Sequence, residues 1–297
     1  MFKKKKETVA GPGPFENSRY WEKGDYKLHY RVDEAKGTEK TKLFILHGFW
    51  LNNTFYEELV EELTNEGITC YRVDLPSFGW STRETKDIAY VPSKELIRDM
   101  LADLDDGSGF VLYGHSMGGS VAMEVAAMDQ GHVKALVLNA PMFMRNSNEK
   151  QAERFMQDPM VNVLTAEANL IRLLKRPVKL FMYIMTWDAK YCRQFDTKRF
   201  TVPFEHPDAG ASLGFFTGHV QKPNAKFVKK NLSVPVLYVA AERDLFVNGS
   251  AVKKIRKALP KDHAFEKLSG AGHCFPQNLS EKTAELTLKF LKKENII

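Results

Sequence analysis

The chain has 297 residues, 43% hydrophobic and 27% charged, and carries a formal net charge of +6. Four of those positive charges sit in Lys3, Lys4, Lys5 and Lys6, so the remainder lacks the global basic footprint that nucleic acid selects. Cys70, Cys192 and Cys274 are far apart with no CxxC spacing, which suggests neither a disulfide framework nor a zinc site and reads as three reduced core residues.

The N-terminus, MFKKKKETVAGPGPFEN, has the basic run of a signal peptide but no apolar region behind it. No stretch reaches the apolar length of a membrane span, so residues 1–24 are expected to be a flexible basic tail on a cytoplasmic protein. YKLHYRV (26–32) alternates like a strand, and KLFIL (42–46) is a short apolar run that ends in HGFW. TFYEELVEELTNEG (54–67) has helical spacing and stops on Gly67. ITCYRV (68–73) is a strand ending in the turn-rich DLPSFGWS. A helix is expected over 93–104, a strand over 109–113, a helix over 120–128, and strands over 135–139, 235–240 and 263–268. SEKTAELTLKFLKK (280–293) closes the chain as a helix. Strands alternating with helices predict an α/β fold, mostly parallel and covered on both faces. The rhythm breaks between Asn139 and Val234, where PMVNVLTAEANLIRLLK and PVKLFMYIMTW read as helices. That block is expected to be a helical insertion, giving a core of 25–139 and 234–297 and an inserted unit of 140–233.

Residues 113–119, YGHSMGG, place Ser116 between glycines after a strand and before a helix. A sharp strand-to-helix turn strains the serine backbone, and only residues without side chains, here Gly114 and Gly118, fit beside it. The hydroxyl then stands above the strand end at a helix N-terminus, where developing negative charge is favoured. A serine is a weak nucleophile without a base. His273, in the loop GAGHCFPQN behind the last expected strand, can supply one, and Asp244, in AAERDLFV behind the strand before it, can orient that histidine. Glu242 is the rival acid. The amides of Met117 and of Phe49, in HGFW, are the candidate oxyanion donors, with His47 holding the loop in shape.

With HGFW, DLPSFGWS, GHSMGG, ERD and GAGH in this order over roughly 25–297, the chain resembles α/β-hydrolases, and GHSMGG is similar to the elbow of monoacylglycerol lipases and lysophospholipases. The resemblance implies the α/β-hydrolase fold and maps serine, acid and base onto Ser116, Asp244 and His273. It implies no metal and no organic cofactor. Ser116 separates the chain from relatives with an aspartate nucleophile. In DLPSFGWS, Asp74, Gly79 and Ser81 match the family's turn, with Ser77 where glycine is common.

The same resemblance makes the insertion a cap over the site. Trp50, Phe181, Met182, Met185 and Trp187 are candidate substrate-pocket residues, the four in the insertion reading equally well as its own core. Residues 171–199 hold eight Lys/Arg against two Asp/Glu. The expected activity is hydrolysis of carboxylic esters, lipid-like or medium-chain acyl groups favoured. Carbon–carbon bond, thioester, lactone or amide hydrolysis, or a receptor-like role, are the alternatives. The expected partners are a small-molecule ester and, weakly, an anionic membrane surface, with no nucleic acid and no obligate protein partner.

Overall fold

A computed structural model describes residues 14–143, 175–219 and 223–297. Eight strands form one sheet: β1 (Ser18–Lys23), β2 (Tyr26–Asp33), β3 (Thr41–Leu46), β4 (Ile68–Val73), β5 (Phe110–His115), β6 (Val133–Asn139), β7 (Val236–Ala241) and β8 (Ala264–Leu268). Their order is β1-β2-β4-β3-β5-β6-β7-β8. β1 and β2 pair antiparallel, β2 meets β4 antiparallel, and every other pair is parallel.

The central strands read as continuous apolar runs because both their faces are covered. In β3, Phe44 and Leu46 pack on one side, and Leu43 and Ile45 on the other. β5 repeats the alternation, Phe110 and Leu112 against Val111 and Tyr113. Helices α1 (Glu57–Asn65) and α11 (Ser280–Lys293) cover one face. The other carries α2 (Ser93–Leu104), α3 (Met117–Met128), α8 (Ala225–Asn231) and α9 (Gly249–Ala258). α1 ends where Glu66 N and Gly67 N donate to Leu63 O and Thr64 O, with Gly67 at φ 85°. The three cysteines are buried and unbridged.

One expectation changes. Residues 18–23 lie in a strand rather than in a flexible tail: β1 zips onto β2 from Ser18↔Arg31 to Lys23↔Tyr26. SRYWEK does not alternate cleanly, and its pairing comes from its neighbour across a tight turn rather than from its own pattern. At Ser77, φ is 72°, the left-handed region that favours glycine. Its hydroxyl donates to Glu84 Oε2 at 2.8 Å and offsets part of that strain.

Between β6 and β7 every described element is helical: α4 (Lys175–Thr186), α5 (Ala189–Gln194), α6 (Lys198–Thr201), a 3-10 turn Val202–Glu205, α7 (Ala209–His219) and α8. The helix read from PMVNVLTAEANLIRLLK lies outside the described residues except for its last position. The remaining short helix, α10 (Phe275–Asn278), directly follows the His273 loop.

Candidate active site

β5 delivers Ser116 and α3 leaves it. Ser116 sits at φ 53°, ψ −116°, a region costing about 1–3 kcal/mol for a residue with a side chain. The surroundings fix it there: Ser116 N donates to Asn139 O (3.0 Å), and Ser116 O accepts from Gly119 N and Met142 N (3.0 Å each). The flanking glycines answer close approach. A Cβ on Gly114 would lie 2.5 Å from Gly119 Cα, and one on Gly118 2.3 Å from Leu46 O.

The downstream residues converge on this hydroxyl. Ser116 Oγ lies 2.8 Å from His273 Nε2, and His273 Nδ1 lies 2.7 Å from Asp244 Oδ2. Asp244 can only accept, so Nδ1–H donates to it and Nε2 is left to receive the serine proton. Asp244 Oδ1 accepts from Phe246 N and Val247 N, both at 2.8 Å. Burial alone would raise the Asp244 pKa, but the His273 hydrogen bond and charge and the two amides together hold it below the usual carboxylate value. Glu242 is exposed and turned away, accepting from Ser269 Oγ (2.9 Å) and Gly270 N (2.8 Å). Asp244, not Glu242, meets His273.

The loop after β3 closes over the serine. A Cβ on Gly48 would sit 3.1 Å from Ser116 Cβ, so the backbone leading to Phe49 runs beside the hydroxyl. His47 Nδ1–H donates to Gly48 O (2.7 Å) while Nε2 accepts from Leu75 N (3.0 Å). One neutral tautomer is thereby fixed, and burial pushes the His47 pKa down. Met117, the first residue of α3, carries one of the amides a helix leaves without an intrahelical acceptor. His115 braces the far side: its Nε2–H donates to His273 O and its Nδ1 accepts from Tyr56 O–H, both at 3.0 Å.

The five candidate pocket residues separate. Trp50 and Phe181 face each other at 5.8 Å between ring centroids, and Trp50 stacks on Phe49. Met182 and Met185 are buried in the core that also holds Cys274 and Phe275, and Met185 O accepts from Cys274 N (2.8 Å). Trp187 is at the surface, its Nε1–H donating to Arg243 O at 3.0 Å. The cavity beside Trp50 is lined by Leu51, Phe78, Phe204 and Leu213 and by none of the other four. Among the described residues, no group of three His, Cys, Asp or Glu is arranged to hold a metal ion.

The family model described as the alpha/beta hydrolase family matches residues 43–286. The chain belongs to the alpha/beta hydrolase family. It is 28% identical over 153 residues to the human monoglyceride lipase, an alignment covering half of each chain. Thus the chain spans about half the length of that relative. It is 25% identical over 236 residues to a pimeloyl-[acyl-carrier protein] methyl ester esterase of Pseudoalteromonas atlantica, covering 77% of this chain and 86% of that one. An esterase from Exiguobacterium antarcticum superimposes with a TM-score of 0.70 at 16% identity, over 90% of this chain and 96% of that chain. That likeness shows the shared fold.

This alpha/beta hydrolase contains a second chain of the same three residue types, which sequence reading missed. Ser18 Oγ lies 2.8 Å from His29 Nε2, and His29 Nδ1 lies 2.8 Å from Asp74 Oδ2, all buried. Its surroundings differ. Ser18 opens an ordinary strand and its hydroxyl already accepts from Phe15 N (3.1 Å). Asp74 also accepts from Asn53 N, Asn53 Nδ2 and Trp80 N. Among the described residues no helix N-terminus stands behind Ser18, and this chain ties β1, β2 and the turn after β4 together. Single-residue motifs carry no signal for such a pairing, because its members are local only after the sheet forms.

Proposed function

We propose that this chain is a serine hydrolase cleaving carboxylic esters, lipid-like or medium-chain acyl groups favoured, through Ser116, His273 and Asp244. One observation carries the reading: the 2.8 Å and 2.7 Å contacts from Ser116 to His273 to Asp244 at a strained, glycine-flanked turn. Ser116 Oγ attacks the ester carbonyl as His273 Nε2 takes its proton. The amides of Phe49 and Met117 receive the oxyanion. His273 returns the proton to the departing alcohol, and water, deprotonated by the same nitrogen, releases the acid and restores Ser116. Asp244 stays anionic and keeps the imidazole in the donating tautomer toward itself.

In this reading the helical insertion between β6 and α8 acts as a cap on a core that begins with β1 and resumes at α8. Three contacts support it: Phe181 on Trp50, Asn52 Nδ2 donating to Arg199 O (2.8 Å), and Arg83 Nη2 donating to Pro203 O (2.7 Å). The acyl preference is supported by rings along that seam, Phe49, Trp50, Phe78, Phe181 and Phe216, and by relatives named for ester substrates.

A p-nitrophenyl ester series from acetate to palmitate tests the proposal. The expected profile has kcat/KM highest at intermediate chain length and none of it left in Ser116→Ala. Absence of ester turnover at every length would contradict the reading and favour carbon–carbon, amide or receptor roles.

A further inference from the structure

Helix α4 is apolar on two sides, of which one is buried and the other partly exposed. Val178, Met182 and Met185 turn into the core. On the opposite face Leu180 is 60% exposed, Ile184 40% and Tyr183 38%, and Trp187, just past the helix end, is 39% exposed. Positions 180, 183, 184 and 187 form one helical stripe, where a surface helix ordinarily carries polar residues.

The stripe continues beyond the helix. The Trp187–Arg243 hydrogen bond seats the indole beside the loop of Leu245 and Phe246, which are 60% and 50% exposed. The Phe246 ring also lies 5.2 Å from the His273 ring, so this apolar surface begins at the rim of the Ser116 site. Arg176, Lys190, Arg193 and Arg243 are exposed around it. The acids of the same segments are fewer. Glu242 accepts from Ser269 and Gly270, Asp188 accepts from Tyr191 N and Asn278 Nδ2, and Asp196 accepts from Lys198 N.

We infer that this surface docks on an anionic lipid bilayer, with Leu180, Tyr183, Ile184, Trp187, Leu245 and Phe246 at the headgroup–acyl boundary. An apolar stripe, two interfacial aromatics and a cationic border match the chemistry of that boundary. No helix among the described residues is long and apolar enough to cross a membrane. Docked this way, the rim of the Ser116 site faces the lipid. The purpose of the contact rests on the ester reading, whereas its test does not.

The test is co-sedimentation of the full chain carrying Ser116→Ala with phosphatidylcholine vesicles, with and without phosphatidylglycerol. The expected result is binding about tenfold or more tighter to the anionic vesicles, weakening as salt rises. Leu180→Glu/Ile184→Glu in that background should lose about tenfold while keeping the parent's thermal midpoint. Arg176→Glu/Arg193→Glu should lose as much and provides the same reading if the first pair unfolds. A variant with Lys3–Lys6 changed to Gln should still bind. Equal binding to both vesicle types, no binding, indifference to both charge variants, or loss through the lysine variant alone would each overturn the proposal. Absence of ester turnover in the unsubstituted chain would sink only the hydrolase reading.

Discussion

Replacing His115 by Gln should flatten the acid sensitivity of folding. His115 is fully buried between Tyr56 O–H and His273 O, and Gln keeps an amide donor for that carbonyl while removing the titration. Burial first, then the nearby His273 charge, pushes the His115 pKa from 6.5 down to about 3. Above the unfolded value neither state is protonated, and the contribution is whole. As pH falls toward the folded value, only the unfolded chain binds the proton and stability drains away. Between about pH 7.5 and about pH 5 this one group removes about 2 kcal/mol. His47, also held neutral by burial, acts in the same direction and cancels when the two proteins are compared. Urea unfolding at both pH values should therefore show the wild type losing about 2 kcal/mol more than His115→Gln. Equal losses would refute the claim that His115 is held neutral in the fold.

Asp244→Asn should lower kcat by ~10⁴ through loss of the imidazole's anionic anchor, while Glu242→Gln stays within about tenfold of wild type; steady-state ester kinetics distinguishes them. Ser18→Ala leaves buried His29 Nε2 without its donor and should cost about 1–3 kcal/mol in urea unfolding with ester turnover unchanged. Gly118→Ala forces a Cβ to 2.3 Å from Leu46 O and should lose activity together with about 1–3 kcal/mol of stability, read by the same two assays.

The sheet was readable wherever a strand is covered on both faces, because burial itself writes the apolar run: β3, β5, β6 and β7 all appear in the sequence as such. The elbow was readable because close approach of backbones leaves glycine no substitute at 114 and 118. His273 and Asp244 were readable as residues behind consecutive strands, although only the folded distances separate Asp244 from Glu242. β1 was not readable, since its pairing is supplied by β2. α4 marks the deeper limit. Val178, Met182 and Met185 share one side of the helix and Leu180, Tyr183 and Ile184 another, and the sequence pattern does not say which of the two apolar sides turns inward. Met182 and Met185 lie buried in the cluster against which Trp50 and Phe181 pack. The Ser18–His29–Asp74 chain shows the converse, three suitable residue types joined only by tertiary pairing.

That second chain sharpens the decisive measurement, because hydrogen-bond geometry alone does not distinguish Ser116 from Ser18. What distinguishes them is the strained turn, the adjoining helix N-terminus and the loop of His47 to Trp50 closing beside Ser116. A fluorophosphonate probe followed by peptide mapping reads the difference directly. The account predicts one adduct, on Ser116, lost in Ser116→Ala and retained in Ser18→Ala. An unlabelled wild type, or an adduct that survives Ser116→Ala, would contradict it.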